Sequence, residues 1–484
     1  MEEVLRGLQP EAVFKHFEAL TRIPRGSGNE KEVSDFLEKF GKNLGFEVTQ
    51  EECLNVIINK PASVGYEDAP RVILQGHMDI VCAKKEDIEF DFVKDAIKLV
   101  LDGDMIRTEG TTLGADNGIA VAMTMAILEA KDLPHPPLTA LFTVEEETGM
   151  DGVLNLKPGN IAGDILINID SEEEGTVLSS CAGGVRNVVS LPIQWEDADP
   201  SKSAYKISIT GLLGGHSGME INKNRANAIK LLGRMLDSIN SNISIDIAKV
   251  TGGEKMNAIA KMADVIIITD KENEEKLEKL VMDNQSIFSN EFKGSDPEIT
   301  LYMYKGEKPH KVFSENTKQS LISILRLIPN GVQTMSADIK GLVESSNNVG
   351  VLLTEEKDVV FSSAIRSSVN TLKREISNRI QFICDLTNAH MKLVAGYPEW
   401  EYKVDSPIRD LMKEVYEDMY GKELKVDAIH AGLECGFLKE KVGDIDMISI
   451  GPNIYDVHTP NEHISISSTK RVFEFLCEVL KRLK

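Results

Sequence analysis

Short runs rich in Val, Ile and Leu, at 71–75, 138–144 and 164–169, alternate with a helical pattern over 117–130, and clusters bearing acids or histidine follow the strand-like runs. That alternation is the rhythm of an α/β sheet. It constrains the chain strongly, because ligands of open α/β sheets bind beyond the carboxyl ends of the strands, where such clusters would stand. They read Gly76-His77-Met78-Asp79, Gly114-Ala115-Asp116-Asn117-Gly118, Glu145-Glu146-Glu147-Thr148-Gly149 and Ile169-Asp170-Ser171. A fifth, Asp456-Val457-His458-Thr459-Pro460, follows the last strand, predicted at 446–450.

With 484 residues the chain exceeds what a single core holds, so at least two domains are expected. The character shifts around Cys181-Ala182-Gly183-Gly184. Beyond it, strands are predicted at 205–210, 264–269 and 359–365 and helices at 223–236, 272–288 and 372–390, a pattern that admits two similar βαβ-like halves. After Gly396-Tyr397-Pro398 the first rhythm returns, with strands at 426–430 and 446–450 and a helix over 467–483. If this last piece rejoins the first sheet, the middle is an insertion. The expected division is then 1–183 with 398–484 as one domain and 184–397 inserted between them.

Composition narrows the partners. Lys and Arg number 54 against 77 Asp and Glu, and the net charge of −23 repels nucleic-acid phosphates and anionic lipid alike. The amino terminus opens on two acids and lacks the basic flank and apolar stretch of a secretion signal. The six cysteines are scattered with no C-x-x-C pair and read as reduced thiols, so a cytoplasmic protein is expected.

If the clusters share one sheet edge, Asp79, Asp116, Glu146, Glu147 and Asp170 bring five negative charges into a small volume, which requires protonation or neutralisation. Two divalent cations would supply it, and the mixture of imidazole and carboxylate suits zinc, cobalt or manganese. His77 and Asp79 lie two apart at a strand end, so the acid can orient the imidazole. Asp116, at a helix start, could bridge two ions. Adjacent Glu146 and Glu147 offer one carboxylate to ligate and one to act as a general base. Taken singly, each cluster has a blander reading: a run of Glu is usually a solvated helix start, a lone histidine usually structural, and Gly214-Gly215-His216-Ser217-Gly218 a tight turn. Cys435 lacks any signature of a nucleophile. The coincidence of complementary ligand types after successive strands outweighs these readings.

Together with the first four clusters, Gly-Gly-His-Ser-Gly at 214–218, His-Ala-Gly-Leu-Glu-Cys-Gly at 430–436 and His-Thr-Pro-Asn-Glu at 458–462 resemble the bacterial aminoacyl-histidine dipeptidases. These are cytosolic di-zinc enzymes related to aminoacylases and zinc carboxypeptidases, and the resemblance spans essentially the whole chain. It implies a zinc-peptidase-like α/β catalytic domain with a central mixed sheet flanked by helices, interrupted by an α+β lid domain. It implies metal-dependent hydrolysis of Xaa-His and other unblocked dipeptides. One zinc would be held by His77, Asp116 and Asp170 and the other by Asp116, Glu147 and His458, with Glu146 as base and Asp79 bracing His77. It further implies that His216 assists catalysis from the lid, that Asn257 and Arg366 hold the substrate carboxylate, that Gly432 and Glu434 lie near the substrate amine, and that two chains form a homodimer through a lid that opens and closes. Asn117 departs from the wider superfamily, where Asp is frequent, which leaves open whether a cis bond follows Asp116. The rival readings are an N-acyl amino acid deacylase sharing the metal centre and a metal-bound peptide-binding protein without turnover.

Overall fold

Every residue of the strands Val72–His77, Leu138–Thr143 and Ile165–Asn168 is buried, which is why they read as unbroken apolar runs rather than alternating ones. In the computed structural model, which describes residues 3–484, these strands pair in parallel, with His77 opposite Thr143 and Gln75 opposite Asn168. Asp446–Ser449 adds in parallel beside Ile165–Asn168. The full sheet has eight strands in the order Glu47–Gln50, Val56–Lys60, Leu138–Thr143, Val72–His77, Ile165–Asn168, Asp446–Ser449, Thr176–Cys181, Lys425–Ile429. Toward its edges the pairing is antiparallel, so the sheet is mixed, as expected. Parallel pairing puts the carboxyl ends of the three central strands on one edge, and the clusters of His77, Glu145–Gly149 and Asp170 leave the sheet there. The clusters of Asp116 and His458, expected at the same edge, instead follow Met105–Thr108 and Ile454–Tyr455 of a separate four-stranded sheet.

The helix Ala115–Glu129 is apolar around most of its circumference and is buried along nearly its whole length, packed against Val72–His77 and the helix Glu11–Thr21. Its side chains, with Phe14, Phe17, Leu74 and Phe142, form one core. A small antiparallel sheet, Leu99–Asp102, Met105–Thr108, His463–Ser465 and Ile454–Tyr455, holds both ends of the turn that carries His458.

The chain divides into two compact units. The first comprises the residues through Ser180, Tyr402–Ala428 and Leu433–Lys484; the second comprises Cys181–Glu401 and the short stretch Ile429–Gly432. In the second, a nine-stranded antiparallel sheet runs from Thr300–Lys305 at one edge to His390–Tyr397 at the other. Tyr205, Ile207 and Ile209, at alternate positions of one strand, share a core with the helices Ala228–Asn240 and Glu315–Leu327. The two halves of this sheet join where Thr251 and Gly252 pair with Leu353 and Leu352.

Among the helix boundaries that differ from expectation, two have a clear local cause. The helix expected from residue 223 begins at Ala228, because the Asn227 side chain accepts the amides of Ile229 and Lys230 and caps it there. The helix expected to reach 390 ends at Thr387, where Asn388 takes a left-handed conformation (φ 56°) and His390 opens the edge strand.

Candidate active site

His77 closes its strand with a ring that is 1% exposed. Nδ1 faces Asp79, 3.1 Å from the carbonyl oxygen and 3.3 Å from Oδ1, so a neutral ring donates its proton there and keeps the Nε2 lone pair free. Nε2 lies 3.1 Å from Asp116 Oδ1 and 3.4 Å from Asp170 Oδ1. Asp79 is itself fully buried and accepts the Ser27 hydroxyl and the backbone N–H groups of Glu146 and Glu147. One carboxylate thereby braces the histidine and the turn that presents the paired glutamates.

Asp116 stands at the entrance of its helix in a non-helical conformation, and its bond to Asn117 is cis. Asn117 accepts the His77 amide through Oδ1 and donates through Nδ2 to the Ile169 carbonyl at 2.7 Å, tying together the two strand ends that carry His77 and Asp170. The second oxygen of Asp116 lies 3.1 Å from His458 Nε2, which is 3.0 Å from Glu147 Oε2. Asp116 thus stands between two imidazoles, one oxygen toward each.

The acids and imidazoles of the cluster perturb one another strongly. Burial pushes the Asp170 carboxyl up to about 6, with Asp116 and Glu147 adding to the rise, and burial likewise holds Glu146 well above its ordinary range. His458 is pushed up to about 11 by its hydrogen bonds to Asp116 and Glu147. Burial works against the charged form of His77, but Asp170, Asp116 and Asp79 overcome it and raise the ring well above its usual value. Three donor sets converge within 4.8 Å: His77, Asp116 and Asp170; His77, Glu146 and Glu147; and Asp116, Glu147 and His458. Glu147 Oε1 is buried with no hydrogen-bond partner. Nitrogen and oxygen donors of this kind, crowded, anionic and incompletely satisfied, fit divalent metal ions.

The other predicted residues fall into two groups. His216, Asn257, Arg366 and Gly432 all belong to the second unit. A Cβ on Gly218 would sit 3.0 Å from His216 Cε1 and 3.3 Å from Arg366 Cζ, so these two side chains flank one glycine. The Met219 amide donates to His216 Nδ1 at 3.2 Å, which places the proton of the neutral ring on Nε2. Burial and the nearby Arg366 favour that neutral form. Asn257 and Arg366 line one cavity, and Gly432 abuts the ring of Tyr397, whose hydroxyl is 2.7 Å from Arg366 Nη1. Glu434 belongs to the first unit, fully buried, with Oε2 accepting from Gln75 and Thr143 and Oε1 without a partner. Burial pushes it up to about 7.

Arg25 and Glu462, the latter quoted only as the end of the 458–462 motif, have roles that the sequence left unread. Arg25, 1% exposed, donates to the carbonyls of Met78 and Gly114 at 2.9 and 2.7 Å, clamping the two loops that carry Asp79 and Asp116. Glu462 receives four successive amides, those of Leu113, Gly114, Ala115 and Asp116, and so fixes the backbone under Asp116. Position four residues after His458 was a signal for Glu462; Arg25, alone in a Gly- and Ser-rich loop, had none.

The model of peptidase family M20/M25/M40 matches residues 73–482. The chain belongs to this family. It is 34% identical over 479 residues to the cytosol non-specific dipeptidase of Escherichia coli K12, with 99% of each chain covered. The solved aminoacylhistidine dipeptidase of Vibrio alginolyticus superposes with a TM-score of 0.95 at 34% identity, covering 99% of this chain and 98% of the other. Aminopeptidase PepT of Bacillus cereus, 14% identical with a TM-score of 0.56 and coverage of 98% and 99%, shares the M20 fold.

Proposed function

We propose that this M20 peptidase hydrolyses unblocked dipeptides, Xaa-His and carnosine-like ones included, with two zinc ions per subunit, for which cobalt or manganese can substitute. The observation that carries the reading is the placement of Asp116 between His77 and His458, one carboxylate oxygen toward each imidazole. His77, Asp116 and Asp170 would hold one ion and Asp116, Glu147 and His458 the other. Bound zinc supplies Lewis acidity and a water acidified to near neutrality.

The remaining steps belong to the chain. Glu146, carried beside Glu147 on amides anchored to Asp79, takes a proton from the attacking water and delivers it to the leaving amine. His216, neutral with its proton on Nε2, donates a hydrogen bond to the developing oxyanion. Arg366 and Asn257 hold the terminal carboxylate, a planar fork being suited to that geometry. Glu434 and Gly432 are assigned to the amino end, where the unpartnered Oε1 of Glu434 supports the reading.

A cytosolic setting is proposed from the name of the E. coli relative; among the described residues no helix is long and apolar enough to cross a membrane. A homodimer through the second unit is supported by its edge strand, which leaves Leu393 and Val394 exposed, and by Phe382 and Leu386, each 65% exposed on the adjoining helix. The deciding experiment assays metal-loaded protein against Xaa-His dipeptides and N-acetyl amino acids, with chelation and zinc restoration. Release of free histidine that chelation stops and zinc restores is expected; hydrolysis of the N-acetyl compounds alone would assign a deacylase.

A further inference from the structure

In a chain of net charge −23, one cavity of the second unit, about 300 Å³ in volume, is lined by three cations and no acid. The cations are Arg186, Lys255 and Arg366, with Asn257 and Tyr397 as the polar neutral groups. Among the described residues none of the three makes an ion pair with a carboxylate, although acids outnumber bases in the whole sequence. Arg366 spends one nitrogen on the Tyr397 hydroxyl, and its Nε is buried without a partner. Small residues open the space: Gly184 lies opposite both Arg366 and Tyr397 in the sheet, and a Cβ there would meet the Tyr397 ring at 2.5 Å.

A single terminal carboxylate neutralises one of these charges and leaves two unneutralised. Strand register separates the positions: Arg366 stands opposite Gly184, while Arg186 stands opposite Ala364, two residues along, or about 7 Å at the root. Both arginines bear on the Tyr397 phenol, where burial raises the proton affinity and the two guanidinium groups oppose it. A ligand with two carboxylates a few carbons apart matches this arrangement in charge and in length.

We infer that the cavity takes the carboxyl-terminal residue of dipeptides whose side chain is itself acidic, with Arg366, Asn257 and Tyr397 on the main-chain carboxylate and Arg186 and Lys255 on the side-chain one. The inference rests on the proposed role of Arg366 and adds a preference for Xaa-Glu and Xaa-Asp.

The test compares kcat/KM of the zinc-loaded full-length protein for Ala-Glu and Ala-Gln, together with calorimetric binding of glutamate, glutamine and inorganic phosphate. The wild type should favour Ala-Glu by about tenfold or more and bind glutamate in preference to glutamine and phosphate. In the double variant Arg186→Gln/Lys255→Gln both ratios should fall toward one, with circular dichroism and metal content verifying the fold. Dipeptide hydrolysis with no acidic preference, or a preference that survives the double variant, would overturn the inference and leave the peptidase reading standing. Phosphate binding as tight as glutamate would assign the cavity to inorganic anions and also overturn it. A glutamate preference lost in the double variant, in a protein that cleaves no dipeptide, would uphold the cavity and remove the peptidase reading.

Discussion

Two regions of this molecule carry opposite charge problems. In the first unit Asp79, Asp116, Glu146, Glu147 and Asp170 crowd around two imidazoles, and burial together with neighbouring carboxylates raises the proton affinity of Asp170 and Glu146. In the second unit Arg186, Lys255 and Arg366 line a cavity that contains no acid. Neither arrangement follows from bulk composition, and each is unfavourable until a partner of opposite sign arrives. The difference agrees with the proposal that one region receives cations and the other a carboxylate-bearing ligand.

The sharpest way to break this contrast is to remove its centre. Asp116→Ala deletes the oxygens between both imidazoles, and metal analysis should show both ions lost along with turnover; retention of two ions per chain would remove Asp116 from the bridging position. Glu146→Gln should separate holding from chemistry. Turnover is expected to fall about 10²- to 10⁴-fold with metal content close to normal, so equal loss of both would contradict the role of base.

On the cationic side, Arg366→Ala leaves a substrate carboxylate without its charged fork, a cost of about 2–5 kcal/mol, or roughly 30- to 4000-fold in kcat/KM, expressed mainly in KM. Carboxyl-amidated dipeptides should feel the substitution far less, and equal losses for both substrates would move the grip elsewhere.

The smallest expected effect concerns Glu434 in metal-free protein. Its folded-state pKa, pushed to about 7 from an ordinary 4.5, lies above the unfolded value. Its contribution to stability is therefore full below about pH 4.5 and is lost as the pH rises through 7. Glu434→Gln should flatten this part of the stability profile by up to about 3 kcal/mol, measured by denaturant titration at several pH values. An unchanged profile would show that the carboxyl is not held protonated by burial.

How far the sequence was legible depended on which force wrote each segment. The central strands were readable because burial on both faces demands continuous Val, Ile and Leu, as in Val72–His77. The strand Val343–Thr354 is absent from the expected elements, and Glu344, Ser345, Ser346, Asn347 and Asn348 give its first half no apolar run. In the structure Asn347 and Asn348 are buried and donate to the carbonyls of Pro329, Met256 and Ala258, so tertiary hydrogen bonds replace the apolar signal. The helix expected to run to residue 390 failed at Asn388 because a local C-terminal turn outranked helical periodicity.

The amino-acid sequence by itself determined the candidate ligand types and the strand ends from which His77, Glu146, Glu147 and Asp170 emerge, since metal-binding chemistry needs particular side chains and a parallel sheet needs apolar runs. Only the tertiary structure decided that Asp116 would face His77 with one oxygen and His458 with the other across 342 residues of chain. It alone decided that buried Arg25 and Glu462 would hold the loop beneath Asp116, and that Ile429–Gly432 would join the second unit. The physical reason is that periodicity and motif spacing report local preferences. The charge a group feels, and the groups that hold it in place, come from segments that meet only on folding.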